Sequence, residues 1–316
     1  MQRVIEFTGP YARLLREYVE LRQGLGFTMA EGSQRTLRHF AAHLCEDTPI
    51  SEVVDERHAC EFLAKRPGES ENTRLARCVV VRQFCLHLRR IGIAAYVPPT
   101  GMAKAEKVFV PRIVDEREMT RIIDVAGGCK APWPPMALKI LWCTGVRIGE
   151  ASALTVGDFH EGQRSLYVAH SKNDRSRVIP VSDSLAADLA DYIRANAAST
   201  PPDGWLFPGA KPGTHLPAQT MGGTLRLVYR KAGVLTAEGE PIRTHDIRHS
   251  FAVRALENMV ERGQDVFVTL PYLAAYMGHS DIRSTEYYLK LLPSAHRDIA
   301  ERMAPTSRSI FGGEAP

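Results

Sequence analysis

The feature that most restricts how this chain can fold is a break about a third of the way along it. From Tyr96 to Arg112 the sequence carries Pro98, Pro99, Gly101 and Pro111 among Lys104 and Lys107. Proline fixes its own φ and supplies no amide hydrogen, so such a run suits an extended, solvated connector better than a packed element. A linker is therefore expected at 96–112, between an N-terminal domain at 1–95 and a second domain that begins at 113. A chain of 316 residues, 44% of them hydrophobic, can give each domain a core of its own.

From Pro10 to about Arg90, apolar residues recur at three- and four-residue spacing with Arg and Glu between them, the pattern of amphipathic helices. Tyr11, Leu14, Leu15 and Tyr18 make one such face. Breaks are expected near Gly24 and Gly26, from Asp47 to Ser51 and across Pro67 to Asn72, which leaves four helices. Beyond the connector, Asp115 to Val125 opens a second helical region. Ser165 to Ser182 alternates with β-branched residues and predicts a hairpin turning at Ser171 to Asp174. Helical patterning resumes near Gln219 and continues, with interruptions, to Met303. The expected fold class is mainly α with a small antiparallel β-sheet, arranged as a helical N-terminal domain and an α+β second domain over 113–304. The tail at 305–316 is small and polar around Ile310 and Phe311, and is either disordered or docked on a neighbouring subunit.

A net charge of +4 permits an anionic partner without demanding one. The six cysteines, at 45, 60, 78, 85, 129 and 143, form no C-x-x-C pair, which fits reduced thiols in a cytosolic compartment. The opening MQRVIEFTGPYARLL has no basic segment followed by an apolar run, and no stretch approaches the length of a membrane span. A soluble, cytoplasmic protein with no membrane partner is expected.

Transferring a phosphodiester without a metal needs a nucleophile, cations around the nonbridging oxygens and an acid for the departing alkoxide, and the second domain offers candidates for all three. Arg147 lies in TGVRIGE, where a Gly-containing turn leads into a helix; it can clamp a phosphate or pair with Glu150 three residues on. His245 and Arg248 in THDIRHSF share a helical face and can reach one phosphate oxygen together. His245 and His249, four apart, also have the spacing of a helical zinc site, although the residue after the first histidine is Asp246 and not the Glu of that motif. His249 is read as a packing or hydrogen-bonding residue. Further on, MGHSDIRSTEYYLKL places His279 after Gly278, with Tyr287 and Tyr288 following.

Arg147, then His245-x-x-Arg248, then His279 after a glycine, then a tyrosine: in this order the chain resembles the tyrosine recombinase or phage integrase family. The resemblance implies that Arg147 and Arg248 clamp the scissile phosphate, with His245 and His279 as hydrogen-bonding and proton-handling partners. Tyr288 would be the nucleophile; Tyr287, about 100 degrees around a helix, points elsewhere. Lys172, in HSKNDRSRVIPVS, matches the family's hairpin lysine that protonates the leaving 5′ oxygen. Nearby Arg175 and Arg177 hold their protons too tightly for that task. Glu150 matches an acidic residue that orients a neighbouring cation.

The resemblance also implies an N-terminal domain that grips core DNA, a 3′-phosphotyrosyl intermediate and no metal or nucleotide cofactor. Its partners would be double-stranded DNA with specific recombination sites and, in the synaptic complex, a homotetramer. The segment between Arg248 and His279 is longer than in compact members and is similar to integrases carried by transposons, which points to a mobile element. The alternatives are a type IB topoisomerase, a noncatalytic DNA-binding regulator on the same fold, and a metal-dependent hydrolase built on HDIRH.

Overall fold

The computed structural model describes residues 5–27, 29–45, 54–105, 111–171, 175–279, 283–289 and 291. The chain divides into two compact units, Met1–Phe109 and Val110–Pro316. In the first, four helices are described: α1 (Ala12–Gly24), α2 (Glu31–Cys45), α3 (Glu56–Leu63) and α4 (Glu71–Arg90). Two begin where side chains satisfy otherwise orphaned amides. Asp55 accepts from the His58 amide at the start of α3, and Ser70 from the Thr73 amide at the start of α4. Leu15, Val19, Leu37, Phe40, Phe84 and Leu88 fill the shared core, so the expected face of α1 is the buried one, with Leu14 at its edge. The expected break at Asp47 to Ser51 lies outside the described residues.

Tyr96, Val97, Met102 and Ala103 pack on that core, and the Tyr96 amide donates to the Val54 carbonyl at 2.6 Å. The described start of the Pro-rich stretch is thus part of the first unit, because its scattered apolar side chains find a surface to cover. Residues 106–110 of that stretch lie outside the described residues.

The second unit is helical around a small sheet. α5 (Glu116–Gly127) opens on a reciprocal cap between Asp115 and Glu118, and is followed by α6 (Trp133–Thr144) and the single turn α7 (Ile148–Ser152). Strands β1 (Phe159–His160), β2 (Ser165–Ser171) and β3 (Arg175–Pro180) form an antiparallel sheet in the order β1-β2-β3, with Leu166 opposite Ile179. The expected hairpin is therefore β2 and β3, and β1 was not foreseen, since two residues are too few to show alternation. The hairpin's tip, 172–174, lies outside the described residues. Next come α8 (Asp183–Asn196), α9 (Ala218–Lys231), α10 (Thr244–Glu261), α11 (Val266–Met277) and α12 (Arg283–Leu289).

The segment that looked long between Arg248 and His279 resolves into the last turns of α10, a short turn and α11. The tail at 305–316 and the helical patterning near Met303 fall outside the described residues. Among the described residues no helix is long and apolar enough to cross a membrane.

One glycine decides how α6 hands the chain to α7. Gly145 has φ of 62°, and a Cβ there would sit 2.3 Å from the Phe251 ring of α10. Both the left-handed backbone and the ring contact exclude a side chain. Gly145→Ala is expected to destabilise the second unit by roughly 2 to 4 kcal/mol, the strain of a left-handed alanine added to overpacking. Urea unfolding at neutral pH checks this; a loss under about 0.5 kcal/mol, within the range of an ordinary surface substitution, would show that the turn relaxes freely.

Candidate active site

Arg147 stands two residues beyond that glycine, just ahead of α7. The Glu150 carboxylate reaches back to the Arg147 amide at 2.9 Å and to its Nη1 at 2.8 Å, so the ion pair allowed by the R-x-x-E spacing is formed. The pair does not consume the guanidinium: Arg147 remains 25% exposed, and its Nη2 donates to the Gly278 carbonyl at 3.0 Å. Glu150 also binds Arg177 of β3, which donates from Nη1 at 3.1 Å and from Nη2 at 2.8 Å. Burial works against the Glu150 carboxylate, but the hydrogen bonds from Arg177 and Arg147 outweigh it and hold its pKa below the ordinary value. One buried anion thus fixes two cations.

Arg248 is the buried cation of the group, 2% exposed on α10. Its Nη1 donates to the Gly145 carbonyl at 2.6 Å and its Nη2 to the Met277 carbonyl at 2.8 Å. These bonds occupy two of the five N–H donors of a guanidinium. Burial and the neighbouring charge of Arg147 lower its pKa to about 10, which still leaves it cationic at neutral pH. His245, one turn earlier on the same face, keeps an exposed edge, while crowding of its ring and the charge of Arg248 lower its pKa.

The third component comes from α11 and α12. α11 stops at Gly278, φ 69°, where a Cβ would lie 2.8 Å from the Arg177 guanidinium. The next residue, His279, is bonded through Nδ1 to the Thr285 hydroxyl at 2.7 Å. Tyr288 is 2% exposed, lies nearly parallel to the His279 ring at 6.3 Å between centroids, and shares a hydrogen bond of 3.0 Å with Nδ1 of His249. Burial raises the Tyr288 phenol pKa against the opposing pull of Arg248 and Arg147. Burial and the surrounding cations push His279 down to about 4 and His249 to about 3. At neutral pH the cluster therefore presents the guanidinium charges of Arg147, Arg177 and Arg248 against the Glu150 carboxylate, with neutral imidazoles and a protonated phenol.

Arg147, His245, Arg248, His279 and Tyr288 are brought together within the second unit, whereas Lys172 lies outside the described residues. A cavity of about 780 Å³ opens on Arg147 and His245, lined also by Thr155, Trp205 and Ala218. Three contacts were not foreseen: His249 on Tyr288, Thr285 on His279, and Arg177 on Glu150. His249 was legible as a hydrogen-bonding residue, but its partner lies 39 positions away and depends on how α12 packs against α10. Its ring stands edge-on to His245 with centroids 4.6 Å apart. Among the described residues, no group of three or more His, Cys, Asp or Glu side chains gathers as metal ligands.

Residues 112–294 match the Phage integrase family. The chain is 29% identical over 309 residues to y4rB of Sinorhizobium fredii, which carries an integrase/recombinase name, covering 93% of this chain and 96% of that protein. It is 24% identical over 317 residues to the tyrosine recombinase XerD of Rhizobium meliloti, covering 96% and 97%. In three dimensions it is similar to the Tn1549 transposon integrase in complex with transposon right end DNA. That match has a TM-score of 0.67 and 19% identity, and covers 92% of this chain and 98% of that one.

The depressed histidines make stability depend on pH with a definite sign. An unfolded histidine titrates near 6.5, whereas His279 in the folded protein titrates near 4, so the unfolded chain binds more protons between those values. The contribution is complete above about pH 6.5 and is lost as pH falls through 4. In His279→Gln, the decline in unfolding free energy between pH 6.5 and 4, followed by urea titration, is expected to be shallower than in the wild type. An unchanged slope would mean that His279 is not held neutral.

Proposed function

The chain belongs to the Phage integrase family, the tyrosine recombinases, and on that premise we propose that it is a site-specific recombinase whose nucleophile is Tyr288. The observation that carries this reading is the placement of the buried Tyr288 phenol beside Arg147, Arg248 and His279, residues drawn from separate parts of one unit. Members of this class break and rejoin DNA, and the net charge of +4 is compatible with that polyanion.

In the proposed reaction Tyr288 Oη attacks the scissile phosphorus. Arg147 and Arg248 donate to the nonbridging oxygens, where charge accumulates, through N–H groups not engaged by Glu150 and the carbonyls. His245 and His279 donate from neutral rings to the same oxygens. Lys172 protonates the 5′ oxygen as it leaves, and a 3′-phosphotyrosyl bond remains. That bond stores the energy of the broken linkage, so a 5′ hydroxyl from a second duplex can reverse the step without ATP or a metal.

Exchange between duplexes calls for paired recombination sites and a tetramer of this chain on DNA, with the first unit gripping core sequence. We place the enzyme with mobile elements on the strength of the long segment between Arg248 and His279, folded as the end of α10 and α11.

Incubation with a duplex nicked beside a candidate site, in excess chelator, tests the nucleophile. A covalent adduct on denaturing gels is expected from the wild type and from Tyr287→Phe, and none from Tyr288→Phe. Arg248→Ala is expected to slow adduct formation by roughly 10² to 10³. An adduct from Tyr288→Phe would contradict the assignment. Recombinants between two sites, as opposed to relaxation of a plasmid without a paired site, separate a recombinase from a topoisomerase.

A further inference from the structure

We propose that His249 is itself a catalytic residue: its Nδ1 takes the phenolic proton of Tyr288 as the phenol oxygen attacks phosphorus. This inference rests on the reading of Tyr288 as nucleophile. The geometry that carries it is the 3.0 Å separation of Nδ1 and Oη, with the two rings 5.5 Å apart between centroids.

A buried phenol needs an acceptor within the protein, since at 2% exposure water has little access to it. Among the described residues, the neighbours of Tyr288 offer few choices. Arg147 and Arg248 are cations with no lone pair to give. His279 lies nearly parallel to the phenol, 19° between planes, and its Nδ1 is taken by Thr285. Tyr287 from α12 packs against Tyr288 with its ring at 63° and is itself a phenol. His249 is the neighbour whose ring nitrogen lies at hydrogen-bonding distance from the hydroxyl. It is also firmly placed, following the anchored Arg248 on α10 and standing edge-on to His245.

The groups that face His249 explain when it acts. Burial, and then His245, Arg243, Arg248 and His279, hold the imidazole neutral with its pKa near 3. A neutral ring protonated on Nε2 presents the Nδ1 lone pair to the phenol. Without DNA the tyrosine keeps its proton, because burial disfavours the phenolate and an imidazolium at His249 would face Arg243 and Arg248. A bound phosphodiester brings negative charge against those same cations and so raises the basicity of His249. The same charge opposes a free phenolate, so the proton leaves Tyr288 for His249 as the Oη–P bond forms.

The step balances. The Oη–P bond forms as the P–O5′ bond breaks; the phenolic proton moves to Nδ1, giving an imidazolium; the departing O5′ receives its proton from Lys172. In rejoining, a 5′ hydroxyl gives its proton back to Lys172 as its oxygen attacks phosphorus, the P–Oη bond breaks, and the imidazolium returns the proton to Oη.

The test uses the full chain and a nicked duplex with sulfur in place of the scissile O5′. The leaving thiolate needs no proton, so the pH profile reports the tyrosine proton alone. The expected wild-type cleavage rate is flat from pH 6 to 9. His249→Asn keeps a hydrogen-bond acceptor near the Nδ1 position but cannot take a proton. At pH 7 it is expected to cleave about 10² times more slowly or worse, and its rate to rise about tenfold per pH unit. Installing 3,5-difluorotyrosine at position 288, a more acidic phenol, is expected to restore much of the lost rate. Gel-shift binding to the same DNA controls for folding, with His249→Gln as a second variant.

Wild-type cleavage in His249→Asn at pH 7, or a slow rate that neither pH nor the fluorinated phenol changes, would overturn the proposal. If both variants lose DNA binding, a wild-type rate that climbs tenfold per pH unit would overturn it equally. An adduct that is absent from the wild type, or that persists in Tyr288→Phe, would instead defeat the underlying assignment of the nucleophile.

Discussion

A buried guanidinium joined to two helix ends is the constraint on which the site depends. Arg248 donates to the Gly145 carbonyl, which closes α6, and to the Met277 carbonyl, which closes α11. Carbonyls at a helix C-terminus carry the negative end of the helix dipole, so two of them offset part of the cost of burying a full positive charge. One side chain of α10 thereby sets the places where Arg147 and His279 begin their loops. Arg147 closes the circle by donating to Gly278, and Arg177 ties β3 to the same corner through Glu150 and the Tyr276 carbonyl.

This scaffold shapes the electrostatics. Two cations side by side repel each other and depress every nearby imidazole, and Glu150 offsets only part of that charge. The result is a region of positive potential in which the ionisable rings stay neutral. Such a region favours a phosphodiester as occupant, while burial, against the pull of Arg248 and Arg147, keeps Tyr288 protonated.

Much of this was legible in the sequence, for identifiable reasons. Helices α1 to α4 follow apolar periodicity and end at Gly, Pro and Ser signals, and β2 with β3 follows from alternation of β-branched residues. Arg147, His245, Arg248, His279 and Tyr288 were found through ordered motifs, because each motif is local. What stayed hidden is what depends on packing between elements distant in sequence. Nothing near His249 signals that its ring meets Tyr288, nor does Arg177 announce that it crosses to Glu150. The Pro-rich stretch from Tyr96 looked like a free connector because backbone composition dominates such a judgement. In the folded chain, Tyr96, Val97 and Met102 cover the first unit.

The most direct test of the central claim is to identify the amino acid that becomes joined to DNA. Trypsin digestion of the covalent complex, followed by nuclease trimming and fragmentation mass spectrometry, isolates peptide 284–290, which contains both Tyr287 and Tyr288. The account predicts a nucleotide phosphate on Tyr288 alone. A nucleotide on Tyr287, or on a peptide from elsewhere in the chain, would contradict it.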